Sequence, residues 1–299
     1  MKIVSLHLLI ASVGLMSTSV PVQAQGPVET APASRSFNVG AMQVTVLRAG
    51  RLAIPNDGSV FATNARPAEV AKLLRAAGQP AQTINLDIDV LLVRTGGRTV
   101  LIDTGYGAKN KSVLERSLRS VGVSPRDVTD ILITHSHPDH VGGLVDAKGR
   151  PAFPNALVHM SANEWRAMQE SPDARGIAEA IRPRVRTFVP GGLVVPGIRS
   201  KALYGHTPGH VMYELASRGE RLLDIGDAAH SSVISLERPE WTIAWDSDKL
   251  RGVAQRRSQL RLLSASKERI FAVHFPFPGV GTIVRRGSGF AFDPGVPRR

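Results

Sequence analysis

The sequence contains no cysteine in its 299 residues. That excludes disulfides and thiolate metal ligands, and it leaves the redox compartment undetermined by this route. A second long apolar run is also missing. Ile3 to Val20 is mostly apolar, and nothing after it is long and apolar enough to span a bilayer. Acidic residues are few, 25 Asp and Glu against 37 Lys and Arg, for a formal net charge of +12. The basic residues are dispersed, in small groups such as Arg256-Arg257 and Arg285-Arg286, with no basic tail and no nucleic-acid motif. Nucleic acid is therefore not an expected partner, and the charge reads as that of a basic exported protein. No internal repeat interrupts the chain.

Residues 1–24 combine a basic start at Lys2, an apolar stretch and the small-x-small end Val22-Gln23-Ala24. They read as a secretory signal peptide cut after Ala24, which implies a periplasmic or secreted protein without stable membrane insertion after cleavage. Residues 25–36 are rich in Pro, Ala and Ser and read as a disordered linker. Residues 37–299, in a chain that is 42% hydrophobic, are enough for one large domain.

The stretch His135-Ser136-His137-Pro138-Asp139-His140 places three of the nine histidines within six residues. Val128 to Thr134 before it is rich in β-branched and aliphatic residues and reads as a buried strand. His135 and His137, two apart, face the same way while the backbone stays extended. Asp139 and His140 point elsewhere as the chain turns. The spacing suits two adjacent metal ions, one on His135 and His137, the other on Asp139 and His140. Imidazole and carboxylate are zinc-type ligands.

His-x-His-x-Asp-His resembles the signature of the metallo-β-lactamase superfamily. The family's further positions are filled in order by His206 in Gly205-His206-Thr207-Pro208-Gly209-His210, by Asp227 after Leu222 to Gly226, and by His274 after Ile270 to Val273. His210 matches a common non-ligand neighbour. The resemblance implies an α/β (α+β) fold, the four-layer αββα sandwich, with the metal site at one edge of two central sheets. It assigns His135, His137 and His206 to one metal, Asp139, His140 and His274 to a second, and Asp227 to both. Two zinc ions per chain are expected, and Mn, Fe or Co suit the same donors. Two close divalent ions acidify a shared water for attack on a carbonyl or phosphoryl centre. Asp139 and Asp227 are thus catalytic as well as ligating.

Related diiron flavoproteins carry a carboxylate at the position of His137, so the histidine favours hydrolysis over redox chemistry. B1 β-lactamases use a Cys that is absent here, which favours ester, lactone or phosphotriester substrates over β-lactams. Pro138 to Leu144, Phe153-Pro154-Asn155-Ala156, Asp246-Ser247-Asp248 and Phe275 to Gly281 resemble exported methyl parathion hydrolases, and the similarity runs from about Val44 to Phe292. Acyl-homoserine lactonases are similar at greater distance. Three residues beyond Asp227 the lactonases carry a Tyr and methyl parathion hydrolase a Leu. Here it is His230, read as a catalytic donor or as a pocket wall. Trp165 and Tyr106 lie in regions comparable to that hydrolase's aromatic pocket, with Met168 in one aromatic place, while Trp165 also reads as a helix residue packed on the sheet. Asp103, at the end of a predicted strand, reads either as an acceptor for a ligand imidazole or as a turn cap.

Elsewhere the pattern predicts a helix over Pro67–Ala77, a hairpin from Ile84 through Gly96-Gly97 to Asp103, and a helix over Ser112–Val121. A capping box, Ser161 with Glu164, opens a further helix. Residues 170–200 read as a variable insertion, and Asp246 or Ser247 as the cap of a helix reaching Ser264. The expected partner is a small-molecule substrate, and a homodimer is left open. The competing readings are a β-lactamase-like hydrolase and a non-catalytic metal-binding exported protein.

Overall fold

The computed structural model describes residues 30–107 and 111–295. Its strands form two seven-stranded sheets. The first holds β1 (Ser34–Val39), β2 (Met42–Pro55), β3 (Thr83–Thr95), β4 (Arg98–Ile102), β5 (Asp130–Leu132), β6 (Leu157–Ser161) and β7 (Val185–Phe188), in that spatial order. The second holds β8 (Leu193–Val195), β9 (Ile198–Ala202), β10 (Val211–Ser217), β11 (Glu220–Asp224), β12 (Ile270–Phe271), β13 (Val280–Arg286) and β14 (Gly289–Asp293), again side by side in sequence order. In the first sheet β1 to β4 pair antiparallel and β4 to β7 parallel. In the second, only β11 and β12 pair in parallel.

Strand alternation builds the layers. Val100 and Ile102 of β4 face one way and Leu101 the other, and Ile131 and Leu132 of β5 divide likewise. In β10, Val211, Tyr213 and Leu215 face the same interior as Val100 and Ile102, whereas Met212 faces away. Each sheet is therefore apolar on both faces, which only a covered sheet can afford. Three cores result. The middle one lies between the sheets. The first is closed by α1 (Pro67–Ala76), α2 (Leu114–Ser120), α4 (Ala162–Glu170) and α5 (Arg175–Ile181), through Val70, Leu74, Leu118, Met168 and Ile181. The third is closed mainly by α7 (Lys249–Ser266), through Leu260 and Leu263. Two single-turn helices, α3 (Pro138–Val141) and α6 (Ile234–Glu237), complete the set. This is the expected αββα sandwich.

Several local expectations change. Residues 1–29 lie outside the described residues, and so does the signal-peptide reading of 1–24. Residues 34–36, read as linker, begin β1, which is held in register by β2 from Ser34 opposite Leu47 onward. Residues 170–200 are not an insertion. They carry α5, β7 and β8, and so supply one edge strand to each sheet. The strands are short and broken by Pro and Gly, so they leave no periodic signal. The α7 cap is Asp248, whose Oδ1 accepts from Arg251 N at 3.0 Å, and Asp246 is free for other work.

An ion cluster around the buried Asp130 ties β4, β5 and β6, with the Arg98 side chain half-exposed. Arg98 Nη1 donates to both oxygens of Asp130 at 3.0 and 2.8 Å, Thr129 Oγ1 donates to Oδ2 at 2.8 Å, and His159 Nε2 lies 2.9 Å from Oδ1. Burial opposes the charge, but the hydrogen bonds from Arg98, Thr129 and His159 outweigh it and hold Asp130 below the ordinary 3.8. A depressed folded-state value gives stability that is complete above the unfolded value of about 3.9 and is lost as pH falls through the folded one. The urea midpoint of the protein is expected to fall more steeply below pH 4 than that of Asp130→Asn. Parallel curves for the two would remove Asp130 from the acid response.

Candidate metal centre

The histidine motif sits where the first sheet ends. β5 stops at Leu132, and Ile133 N donates to His159 O at 2.9 Å before the chain leaves the sheet. His137 stays extended at φ −66° and ψ 152°, and Pro138 begins α3, which turns Asp139 and His140 out of line with His135. The strand is shorter than the expected Val128–Thr134, so His135 stands in the loop, separated from the strand's end by Ile133 and Thr134, and does not follow it directly. The second sheet meets this loop edge-on. His206 lies between β9 and β10, Asp227 follows β11, and His274 follows β12.

All seven predicted ligands converge in two groups. His135, His137, His206 and Asp227 present donor atoms within 4.8 Å of one another, and so do Asp139, His140 and His274. His135 Nε2 is 3.1 Å from His137 Nδ1 and 3.2 Å from His206 Nε2. Asp227 stands between the groups. Its Oδ2 is 3.5 Å from His135 Nε2 and 3.2 Å from His206 Nε2. Its Oδ1 is 3.4 Å from His140 Nε2 and 3.2 Å from His274 Nε2. Asp139 Oδ2 approaches the same two imidazoles, at 3.8 and 3.4 Å.

The outward ring nitrogens fix the tautomers. His140 Nδ1 donates to Asp103 Oδ2 at 2.7 Å, and Asp103 also accepts from Thr134 N at 2.8 Å and from Thr134 Oγ1 at 2.7 Å. Asp103 thus acts as the acceptor for a ligand imidazole. His206 Nδ1 donates to Asp246 Oδ1 at 2.9 Å, and Arg256 Nη2 holds Asp246 Oδ2 at 2.9 Å. His274 Nδ1 donates to the Asp87 carbonyl at 3.0 Å. With Nδ1 spent outward, each of these rings turns the lone pair of Nε2 inward. His140 Nε2, His274 Nε2 and Asp227 Oδ1 are buried and make no hydrogen bond. Unpaired acceptors facing one another are costly in a dry site unless a cation lies among them. The donor set therefore fits divalent metal, with nitrogen and oxygen ligands of the zinc type.

His210 joins neither group. Its Nε2 accepts from Asp227 N at 3.0 Å and its Nδ1 donates to Leu203 O at 3.0 Å. Both bonds need the neutral ring, and burial draws its pKa down to about 3. It anchors the backbone that carries the shared carboxylate. Gly226 lets it approach, since a Cβ there would stand 2.6 Å from His210 Nε2 and the residue has φ +48°.

His230 is fully buried beside the centre, its Nε2 3.0 Å from Asp227 Oδ2 but aligned too poorly for a hydrogen bond. Its ring stacks on His274 at 5.6 Å and meets Phe61 at 6.1 Å and Trp245 at 5.6 Å. Tyr106 lies nearby. Burial, with the negative charges of Asp139 and Asp227, pushes its phenol well above the ordinary 10.0, so it stays protonated. Of the other two aromatic-pocket expectations, that for Met168 changes and the reading of Trp165 as a helix residue packed on the sheet holds. Met168 is fully buried in the first core, which takes it out of any pocket. Trp165 packs on the same core with the Arg182 guanidinium over its ring at 5.9 Å. The aromatic wall is instead Phe61 and Trp245, which lie far apart in sequence and offer no spacing signal.

Residues 85–273 match the metallo-β-lactamase superfamily. The chain belongs to that superfamily. Among curated members it is 36% identical over 121 residues to metallo-beta-lactamase domain-containing protein 1 of Xenopus laevis, covering 40% of this chain and 45% of that one. It is 29% identical over 178 residues to an N-acyl homoserine lactonase of a Bacillus species, covering 51% and 68%. The match thus spans less than half the length of the Xenopus superfamily member. Solved superfamily structures superpose over nearly their whole length. AidC, a dizinc quorum-quenching lactonase in complex with a product, N-hexanoyl-L-homoserine, has a TM-score of 0.83 at 28% identity, covering 90% of this chain and 99% of that one. The hydrolase AbOPH has a TM-score of 0.81 at 28% identity, covering 91% and 100%.

Proposed function

We propose that this superfamily member is an exported dinuclear zinc hydrolase that opens a lactone ring, with ester and phosphotriester bonds as secondary substrates. The observation that carries the reading is the placement of Asp227, with one carboxylate oxygen facing each cluster of imidazoles. The likeness to a dizinc lactonase over 99% of that chain supports the substrate class. The reading of residues 1–24 as a signal peptide supports action in the periplasm or outside the cell, and no helix among the described residues is long and apolar enough to cross a membrane.

His135, His137 and His206 would hold one ion, Asp139, His140 and His274 the other, and Asp227 both. Ions bound there supply an acidified water and polarise the substrate's carbonyl or phosphoryl oxygen. The chain supplies the proton traffic and the pocket. Asp139 is the more open of the two carboxylates, its side chain 11% exposed against 2% for Asp227, and its Oδ2 lies 3.4 Å from His274 Nε2. It is the group that returns a proton to the departing ring oxygen. His230 donates from its ring to the substrate carbonyl, taking the place of the lactonase Tyr. Phe61 and Trp245 hold that ring in place and keep water from it.

The test is a comparison of kcat/KM on zinc-loaded protein for an acyl-homoserine lactone and an aryl phosphotriester. A clear preference for the lactone is expected, and a preference for the phosphotriester overturns the substrate class. His230→Leu is expected to lower lactone kcat by about a hundredfold, the range of a lost hydrogen-bond donor to the reacting carbonyl, while changing phosphotriester turnover little. Equal losses on both substrates would make His230 a wall and not a donor.

A further inference from the structure

Ser161 and Glu164 have the spacing of a capping box at the start of α4, and only half of it forms. Ser161 Oγ accepts from Glu164 N at 3.2 Å and donates to Gly209 O at 2.7 Å. The Glu164 carboxylate is used elsewhere. Its Oε1 accepts from Ser136 N at 2.7 Å and from Ser136 Oγ at 2.6 Å. Its Oε2 accepts from Thr207 Oγ1 at 2.7 Å and from Gly209 N at 2.9 Å. Ser136 lies between His135 and His137, and Thr207 follows His206. Each oxygen therefore holds one of the two loops that carry the imidazoles of the first cluster. One loop leaves the first sheet and the other belongs to the second.

We propose that Glu164 is a positioning residue: it ties these loops together and sets the spacing of His135, His137 and His206 before a metal arrives. The proposal rests on the metal reading above. Glu164 is fully buried, so water does not compete for its bonds. It makes no hydrogen bond to a ligand side chain, so its action runs through Ser136, Thr207 and Gly209. The approach is close. A Cβ on Gly209 would stand 2.1 Å from Glu164 N and 2.5 Å from Ser161 Oγ, so only glycine fits at that point of the second loop. The chemistry requires a carboxylate. Ser136 N and Gly209 N can only donate, and they sit at opposite oxygens. An amide of the same shape must turn its NH2 toward one of them, setting donor against donor at one loop.

The test is zinc affinity at the two clusters, resolved by stepwise chelator competition. His137→Ala and His274→Ala identify which step belongs to which cluster. Glu164→Gln is expected to weaken the first-cluster step about ten- to a hundredfold, as loss of a group supporting the ligands does, and to leave the second step nearly unchanged. A carboxylate that only holds α4 to the sheet would lower thermal stability and leave the ratio of the two affinities as it was. That result overturns the proposal. If Glu164→Gln does not fold, Ser136→Ala and Thr207→Val each remove one hydroxyl and keep the backbone donor. Their effects on first-cluster affinity are expected to couple through Glu164, and strict additivity overturns the tie. An unsubstituted protein that takes up no zinc overturns the proposed function itself, and the assignment of Glu164 with it. That outcome is distinct because it precedes any substitution.

Discussion

Replacing Asp227 with alanine is expected to lower kcat/KM for a lactone by about a thousandfold or more, some 4 kcal/mol of transition-state stabilisation. The size follows from position. Loss of one imidazole leaves three donors in the first cluster, but loss of Asp227 removes an oxygen from both clusters at once. It also leaves four inward-facing imidazoles without the negative charge that would balance cations held among them. Asp227→Asn is the sharper control. It keeps the volume and one oxygen but turns an NH2 toward one cluster, so it should retain about one zinc per chain where alanine retains less. The checks are metal content by mass spectrometry and kcat/KM on the same sample. Alanine-substituted protein that keeps two zinc ions and a tenth of the activity would remove Asp227 from the centre.

Stripping the metal is expected to lower the melting temperature by about 15–30 °C. An ion present at about a thousand times its dissociation constant stabilises the folded chain by about 4 kcal/mol, so two contribute about 8 kcal/mol. In a domain of this size class, 1 kcal/mol moves the midpoint by about 2–4 °C. The stripped centre is also unfavourable in itself. His135 Nε2 lies within 3.2 Å of ring nitrogens on both His137 and His206, and those atoms have too few protons to satisfy one another. Scanning calorimetry before and after chelation, with zinc restored as the control, measures the effect. A midpoint that moves by less than about 5 °C would mean that the ligand cage holds itself together without metal.

The candidate ligand set was legible because each member follows an apolar strand or stands in a Gly- and Pro-rich turn. Such features survive as local patterns. The layers were legible for the same reason, since runs such as Val100-Leu101-Ile102 are apolar on both faces and demand two covers. What supports the ligands was less legible. Asp246 stands near a helix start and reads as a cap, yet its oxygens go to His206 and Arg256. Glu164 fits a capping box three residues after Ser161, and only the tertiary approach of residues 136 and 207 shows where its carboxylate goes. His274 is oriented by a backbone carbonyl, that of Asp87, which any residue type would supply. Phe61 reaches His230 from the other half of the chain, and Trp165, nearer the motif, turns to the core.

Among the described residues the chain passes from one sheet to the other only once, through residues 189–192 between β7 and β8. Val189 in that stretch is 83% exposed, and Gly191 and Gly192 follow it. Four of the seven candidate ligands precede the crossing and three follow it. A cut there would yield two fragments that each carry a complete sheet and an incomplete ligand set. Neither fragment could build a whole centre alone, and the apolar faces now joined between the sheets would be their meeting surface. Zinc would then act as a cross-fragment staple, and recovered turnover would report noncovalent reassembly of the two halves.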